Sequence, residues 1–387
     1  MTSRYMQRAL TLARRGLGYT SPNPMVGAVV VNDAGDIVSE GYHAKRGGPH
    51  AEVAALKAAG ARAQGHTLYV TLEPCNHTGL TPPCTEAIIQ SGIRRVVIAT
   101  RDPNPHVAGG GIERLRAANI AVEVGDGQEE AEALNRPFFT WSREHRPYLT
   151  LKAAVSLDGK VATAAGESKY LTSAPALQHA HELRRQHDAI LVGSGTILQD
   201  NPRLTYRGRR RGRQPVRVVL DSRGRTPPDA LVLDPEIPSP TLIFATEAAP
   251  LEWERQIFGA GGEVVRVGQT PEGHVNLAEV MAQLADRQIL SVLVEGGPTV
   301  HAAFIQAGLA DRWVLYLAPL ILGGRESPTA VGGRGFDLGT APRLTPERVH
   351  RLGPDVVWEG AFQPRRAIHE SEEVACLPES WKPSAKS

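Results

Sequence analysis

Only three cysteines occur in 387 residues, so no disulfide framework holds this chain together. Aromatic residues make up 5%, too few for the stacking platforms that single-strand nucleic-acid binders interleave with basic residues. An excess of one charge is also missing. The 43 basic and 41 acidic side chains leave a formal charge of +2 and a pI near 8.5, which gives no broad field to attract a nucleic-acid duplex. No run reaches the roughly 18 apolar residues of a membrane span. The opening Met1-Thr2-Ser3-Arg4-Tyr5-Met6 leads into an amphipathic helix, not an apolar secretion signal. The expectation is a protein of the reducing cytoplasm with no nucleic-acid or membrane partner, long enough for two cores.

What the chain does have is concentrated. Two of the three cysteines flank one proline-rich loop, and the order is His50-Ala51-Glu52, Pro74-Cys75, Pro83-Cys84. One imidazole and two thiolates suit Zn²⁺, with a fourth tetrahedral position open to water and Glu52 beside it. Such an ion makes hydroxide accessible at neutral pH. A single carboxyl that moves a proton from water to the ring and the departing amine then serves both halves of a hydrolytic deamination. The helix-favouring run 53–59, closed by Gly60, places His50 and Glu52 in a first helical turn. Pro82-Pro83 before Cys84 puts that sulfur at a helix N-terminus too, where the dipole favours a thiolate. The usual deaminase spacing is Cys-x-x-Cys, whereas eight residues separate Cys75 from Cys84 here. The plain alternative is a loop histidine with two inert buried cysteines.

The pattern of elements divides the chain. Residues 1–145 read as a layered α/β domain: helix 2–16, strands 23–31 and 37–42, the helix after His50, strand 67–72, helix 84–91, strand 95–99, helix 110–118, strand 120–124 and helix 128–142. The rhythm restarts at Arg146-Pro147, so residues 146–363 form a second α/β domain. Its strands fall at 148–155, 188–193, 216–220, 241–245, 264–267, 290–294 and 312–318, and its helices at 174–186, 276–286 and 298–307. Residues 364–387, holding Cys376, read as a disordered tail. In the second half, Gly193-Ser194-Gly195-Thr196 and Glu295-Gly296-Gly297-Pro298-Thr299 each end a hydrophobic strand and open a helix, so backbone N–H groups can approach an anion. Neither is a dinucleotide fingerprint or a Walker loop, and either could be a plain turn. Ser222-Arg223, beyond strand 216–220, offers a hydroxyl and a guanidinium to an adenosine 2′-phosphate.

Taken in order, Asn23-Pro24-Met25-Val26-Gly27, His50-Ala51-Glu52, Glu73-Pro74-Cys75-Asn76-His77, Thr81-Pro82-Pro83-Cys84, Ser156-Leu157-Asp158-Gly159-Lys160 and Val294-Glu295-Gly296-Gly297-Pro298 resemble the RibD family of bifunctional riboflavin-biosynthesis enzymes over residues 1–362. The resemblance implies a cytidine-deaminase-like three-layer domain followed by a dihydrofolate-reductase-like mixed-sheet domain. It also implies two reactions on a small phosphorylated pyrimidine. The first is zinc-dependent deamination of 2,5-diamino-6-ribosylamino-4-pyrimidinone 5′-phosphate, and the second is NADPH-dependent reduction of its ribosyl group to ribityl.

By the same resemblance His50, Cys75 and Cys84 are the zinc ligands, Glu52 is the proton shuttle, and Asn23 and His77 line the pyrimidine pocket. Ala154, Tyr170, Thr196, Asp200, Ser222, Gly297, Pro298 and Thr299 would contact NADPH. Lys152, Ser168, Arg184, Leu204, Arg207 and Glu295 would contact the reductase substrate, with Arg184 and Arg207 gripping its phosphate. Tyr170 stands where tryptophan is familiar and Leu80 where arginine is usual. Without the resemblance, Lys152 is a surface strand lysine, Asp200 a helix-capping aspartate and Glu295 a solvated strand-end glutamate. Two other readings remain. One is a zinc-dependent nucleic-acid-editing deaminase with an accessory binding module, using the basic run 207–213 as a phosphate track; the other keeps the deaminase but makes the second half an oligomerisation or regulatory domain. A homo-oligomer is compatible with every reading.

Overall fold

The computed structural model describes residues 2–78, 82–104, 110–169, 171–208 and 212–363. Leu80, Tyr170, the centre of the basic run at 209–211 and the tail 364–387 with Cys376 lie outside the described residues.

Two separate sheets carry the chain. The first has the order β2-β1-β3-β4-β5, made of β1 (Gly27–Val31), β2 (Ile37–Tyr42), β3 (Thr67–Val70), β4 (Arg95–Ile98) and β5 (Ala121–Val124). Strand β1 pairs antiparallel with β2 and β3, whereas β3, β4 and β5 run parallel. Alternation along β1 sends Ala28 and Val30 to one face and Val29 and Val31 to the other. The first face packs on α2 (Ala51–Ala59), α3 (Cys84–Gln90) and α4 (Gly110–Ala117), the second on α1 (Arg4–Ala13) and α5 (Gln128–Leu134). Three layers result, with both sulfur-bearing segments on the α2 and α3 face.

The helix expected over 128–142 is interrupted. It breaks at Asn135 into α5 and α6 (Arg136–Glu144), with Pro137 in the first turn of α6. The buried Asn135 amide receives the Met25 N–H at 2.8 Å and donates to the Met25 carbonyl at 2.9 Å. A local break thereby anchors the strap that carries Asn23 and Pro24.

The second sheet has nine strands in the order β10-β9-β8-β7-β11-β6-β12-β14-β13. They are β6 (Tyr148–Ser156), β7 (Ala189–Gly193), β8 (Val216–Leu220), β9 (Thr241–Ala245), β10 (Glu263–Arg266), β11 (Ser291–Val294), β12 (Arg312–Ala318), β13 (Leu344–Leu352) and β14 (Asp355–Phe362). From β10 to β12 all neighbours are parallel, and the β13–β14 hairpin adds antiparallel strands beside β12. On one face α7 (Ala174–Gln186), α8 (Ser194–Asp200) and α9 (Leu251–Gly259) pack; on the other, α10 (Leu277–Asp286) and α11 (Pro298–Gln306). Helix α9 and the final hairpin were absent from the sequence reading. Strand β13 is mostly exposed and interrupted at Pro346, so no two-residue apolar alternation marks it.

Polar contacts join the two halves. Trp141 Nε1 donates to the Ala285 carbonyl at 3.1 Å, His145 Nε2 lies 2.8 Å from Asp286, and Arg136 pairs with Glu347. No helix among the described residues is long and apolar enough to cross a membrane.

Candidate active sites

His50 is the N-cap of α2, one position before the first turn, and Glu52 sits within that turn. Cys84 begins α3 behind Pro83, while Cys75 lies in the loop after β3. These segments leave the same face, so distant residues meet. His50 Nδ1 lies 3.1 Å from Cys84 Sγ and 3.5 Å from Cys75 Sγ, and the Cys84 N–H points at Cys75 Sγ from 3.4 Å. The three ligand atoms lie within 4.8 Å of one another. An imidazole nitrogen and two sulfurs in this compass fit Zn²⁺, and the long Cys75–Cys84 separation does not prevent their convergence.

The electrostatics favour a cation at that point. A hydrogen bond from Cys84, then the His50 imidazole, draws Cys75 down to about 4, so it is a thiolate. The hydrogen bond to Cys75, and then burial, push the Cys84 thiol up. Two sulfurs in contact cannot both ionise without a positive centre between them. Glu52 is 3% exposed, and burial raises its carboxyl pKa, the state a group needs if it is to hold and return a proton near neutrality.

A cavity of about 250 Å³ opens over this cluster, lined also by Asn23, His43, Glu73, His77, Asp102 and Asn104. Asn23 Nδ2 stands 3.2 Å from His43 Nε2, whose Nδ1 faces the Pro49 carbonyl at 3.0 Å. His77 is exposed at the mouth. Burial lifts Asp102 to about 6. Glu73 receives the Gly111 and Ile112 N–H groups and so fixes α4 against the site. His43, Asp102 and Asn104 escaped the sequence reading. The only signal was their place just after β2 and β4, where loops at one sheet edge converge.

A second polar cluster lies under α7. Arg184 donates from Nε and Nη2 to the two oxygens of Glu295 at 2.8 and 2.9 Å, and from Nη1 to the Thr205 carbonyl at 2.8 Å. Lys152 Nζ is 4.0 Å from Glu295 Oε2. Burial works against ionisation of Glu295, but Arg184 and then Lys152 outweigh it and hold the carboxyl at about 2. Burial lowers the Lys152 pKa, with Glu295 opposing. Glu295 and Lys152 are thus neither a solvated glutamate nor a surface lysine: their side chains are 10% and 19% exposed.

The other predicted reductase residues fall into separate settings. Ala154 lies on β6, two residues from Lys152 and on the same sheet face. Thr196 and the exposed Asp200 lie on α8, and the half-buried Ser168 lies in the loop before α7. Arg207 is exposed. Leu204 is 3% exposed and packs into the core with Ile190 and Ile197, so only its backbone, at a left-handed φ of 51°, can face a ligand. Of the two expected phosphate clamps, Arg184 has its fork on Glu295.

Both glycine turns end strands as expected, with Gly193 the N-cap of α8 and Gly297 the N-cap of α11, neither closed by a side-chain cap. A Cβ on Gly193 or Gly296 would stand 2.9 or 2.8 Å from Val300, so those two glycines serve helix packing. A Cβ on Gly195 or Gly297 would meet nothing within 4 Å, and their backbone is open to a ligand. Pro298 and Thr299 begin α11 beside it. Ser222 Oγ accepts the Val275 N–H at 3.0 Å, leaving its own hydrogen to donate, and Arg223 is exposed next to it. Arg225 reaches Ser194 Oγ at 2.7 Å, linking the ends of β8 and β7.

A His-Cys-Cys cluster with a buried glutamate on one sheet, and open glycine turns above a Lys-Glu-Arg cluster on another, define a zinc deaminase joined to a nucleotide-dependent reductase. Residues 1–100 match the cytidine and deoxycytidylate deaminase zinc-binding region and residues 147–358 the RibD C-terminal domain. The chain is 45% identical to the riboflavin biosynthesis protein RibD of Bacillus amyloliquefaciens, over 92% of this chain and 95% of that one. It superposes on Acinetobacter baumannii RibD with a TM-score of 0.84 at 36% identity, covering 93% and 98% of the two chains. It is also similar to the diaminohydroxyphosphoribosylaminopyrimidine deaminase/5-amino-6-(5-phosphoribosylamino)uracil reductase of Thermotoga maritima, with a TM-score of 0.80, 38% identity and coverage of 93% and 98%. The chain belongs to the RibD family. It is a bifunctional deaminase and reductase of riboflavin biosynthesis, with zinc and NADPH as its cofactors.

Proposed function

We propose that residues 1–145 deaminate 2,5-diamino-6-ribosylamino-4-pyrimidinone 5′-phosphate and that residues 146–363 reduce the ribosyl group of the product. The observation that carries the first half is the approach of His50, Cys75 and Cys84 around one point beside buried Glu52. Held by those three residues, zinc supplies the Lewis acidity that makes hydroxide available at neutral pH. Glu52 takes the proton released from water and returns it to the ring nitrogen and the leaving amine. Asn23, fixed through His43, orients the pyrimidine edge, and His77 closes the mouth of the cavity.

In the second half NADPH supplies the hydride, delivered to C1′ of the opened ribosylamine. Gly297, Pro298, Thr299, Thr196, Asp200, Ala154 and Ser222 would hold the cofactor, with Ser222 toward its adenosine phosphate; Tyr170, expected to join them, lies outside the described residues. Ser168, the Leu204 backbone and Arg207 receive the substrate. Arg184 keeps Glu295 ionised, and Glu295 orients Lys152, whose proton is the more easily given up because burial lowers its pKa. The same reading includes a cytoplasmic location, where both cysteines stay reduced. It allows a homo-oligomer, since β10 and β13 are open sheet edges.

Ammonia release and NADPH oxidation, measured on Glu52→Gln and Lys152→Ala, test this division. Given the substrate of each reaction separately, each variant is expected to lose one reaction and keep the other; loss of both in either variant under those conditions would contradict it.

A further inference from the structure

We propose that His179, His350 and Glu359 form a second metal site, for a divalent transition cation, on the α7 face of the nine-stranded sheet. They come from three elements: α7, the edge strand β13 and the adjacent β14. One ring nitrogen of each histidine and one Glu359 oxygen lie within 4.8 Å of one another. His350 Nδ1 is buried without a hydrogen-bond partner and faces Glu359 Oε1 across 3.7 Å. That gap is too wide for a hydrogen bond. It is close to the separation of about 3.4 Å between two ligands whose bonds of about 2.0–2.2 Å meet at a tetrahedral ion.

The surroundings orient all three groups. His179 Nδ1 lies 2.8 Å from the buried Tyr316 hydroxyl, a partner that fixes the ring and leaves Nε2 for an ion. Arg312 holds the other Glu359 oxygen and turns Oε1 toward the histidines. Arg312 also cancels part of the carboxylate charge. Affinity therefore has to come from the imidazoles, which selects Zn²⁺, Co²⁺, Ni²⁺ or Cu²⁺ over Mg²⁺ or Ca²⁺. Both histidines are half-buried, so an ion has a path in from solvent. This cluster shares no residue with the His50 site, and its effect is to tie α7 to the sheet edge.

The test uses the untagged full chain loaded with one zinc and titrated with Co²⁺. A second equivalent is expected, with visible d–d absorption and none of the near-ultraviolet thiolate charge transfer that cobalt bound by Cys75 and Cys84 would give. His179→Ala and His350→Ala should each lose the second equivalent while keeping the first metal and ammonia release; Cys75→Ser should keep it. A single equivalent in the unmodified protein, or a second one surviving both histidine variants, overturns the proposal.

Discussion

Arg184 grips both carboxylate oxygens of Glu295, at 2.8 and 2.9 Å, beneath α7. An arginine expected to hold a phosphate is bonded to a carboxylate 4.0 Å from Lys152, and that has a pH signature. The folded Glu295 pKa, about 2, lies below the ordinary 4.5. Its stabilisation is therefore fully present above about pH 4.5 and lost as pH falls toward 2.

Arg184→Leu should strip the buried Glu295 carboxylate of its two closest charge-assisted bonds, leaving Lys152 at 4.0 Å, and destabilise the protein by about 3–5 kcal/mol at pH 7. The deficit should shrink as pH falls from 4.5, where Glu295 of the variant takes up a proton. Urea denaturation at pH 7 and pH 4 measures both; an unchanged midpoint at pH 7 would show that the pair carries no such weight.

Glu52→Gln removes the buried carboxyl in the first turn behind His50. Deamination should fall by about 10²–10⁴-fold, while reduction of the already deaminated substrate stays near the unmodified rate. Zinc content by elemental analysis should remain one per chain at this cluster. Normal ammonia release would remove Glu52 from the mechanism.

A fragment beginning near Arg146 should fold and bind NADPH, because β6 to β14 form one sheet with its own core. Fluorescence titration of NADPH into the fragment checks this. A folded fragment with no binding would refute the division of labour.

The adenosine end should discriminate NADPH from NADH. Ser222 Oγ and the exposed Arg223 can each donate to a 2′-phosphate, a charge-assisted bond worth about 1.5–3 kcal/mol, or roughly tenfold to a hundredfold in kcat/KM. Ser222→Ala combined with Arg223→Ala should narrow the preference by weakening NADPH. Equal kcat/KM for both cofactors before substitution would exclude this phosphate site.

The sequence was most readable where chemistry needs rare residues at fixed places. His50, Glu52, Cys75 and Cys84 stood out because cysteine is scarce, and strong apolar strands such as β6, β7 and β9 stood out by their runs. It was least readable where tertiary contacts decide. Pro137 and the Asn135 amide break a helix that periodicity carries through. The exposed β13 has no apolar pattern, although β14 pairs with it. Glu295 looks like a solvent-facing strand end until Arg184 arrives from 111 positions away. Leu204, marked as a substrate contact, puts its side chain into the core because its neighbours in space are Ile190 and Ile197.

The most direct test follows one turnover of the zinc-loaded protein with 2,5-diamino-6-ribosylamino-4-pyrimidinone 5′-phosphate and NADPH, recording ammonia and NADPH absorbance together. Ammonia release is expected first, then NADPH oxidation in equal amount; Glu52→Gln should block both from this substrate yet still oxidise NADPH when given the deaminated substrate. NADPH oxidation that proceeds in Glu52→Gln from the diamino substrate, without ammonia, would contradict this order.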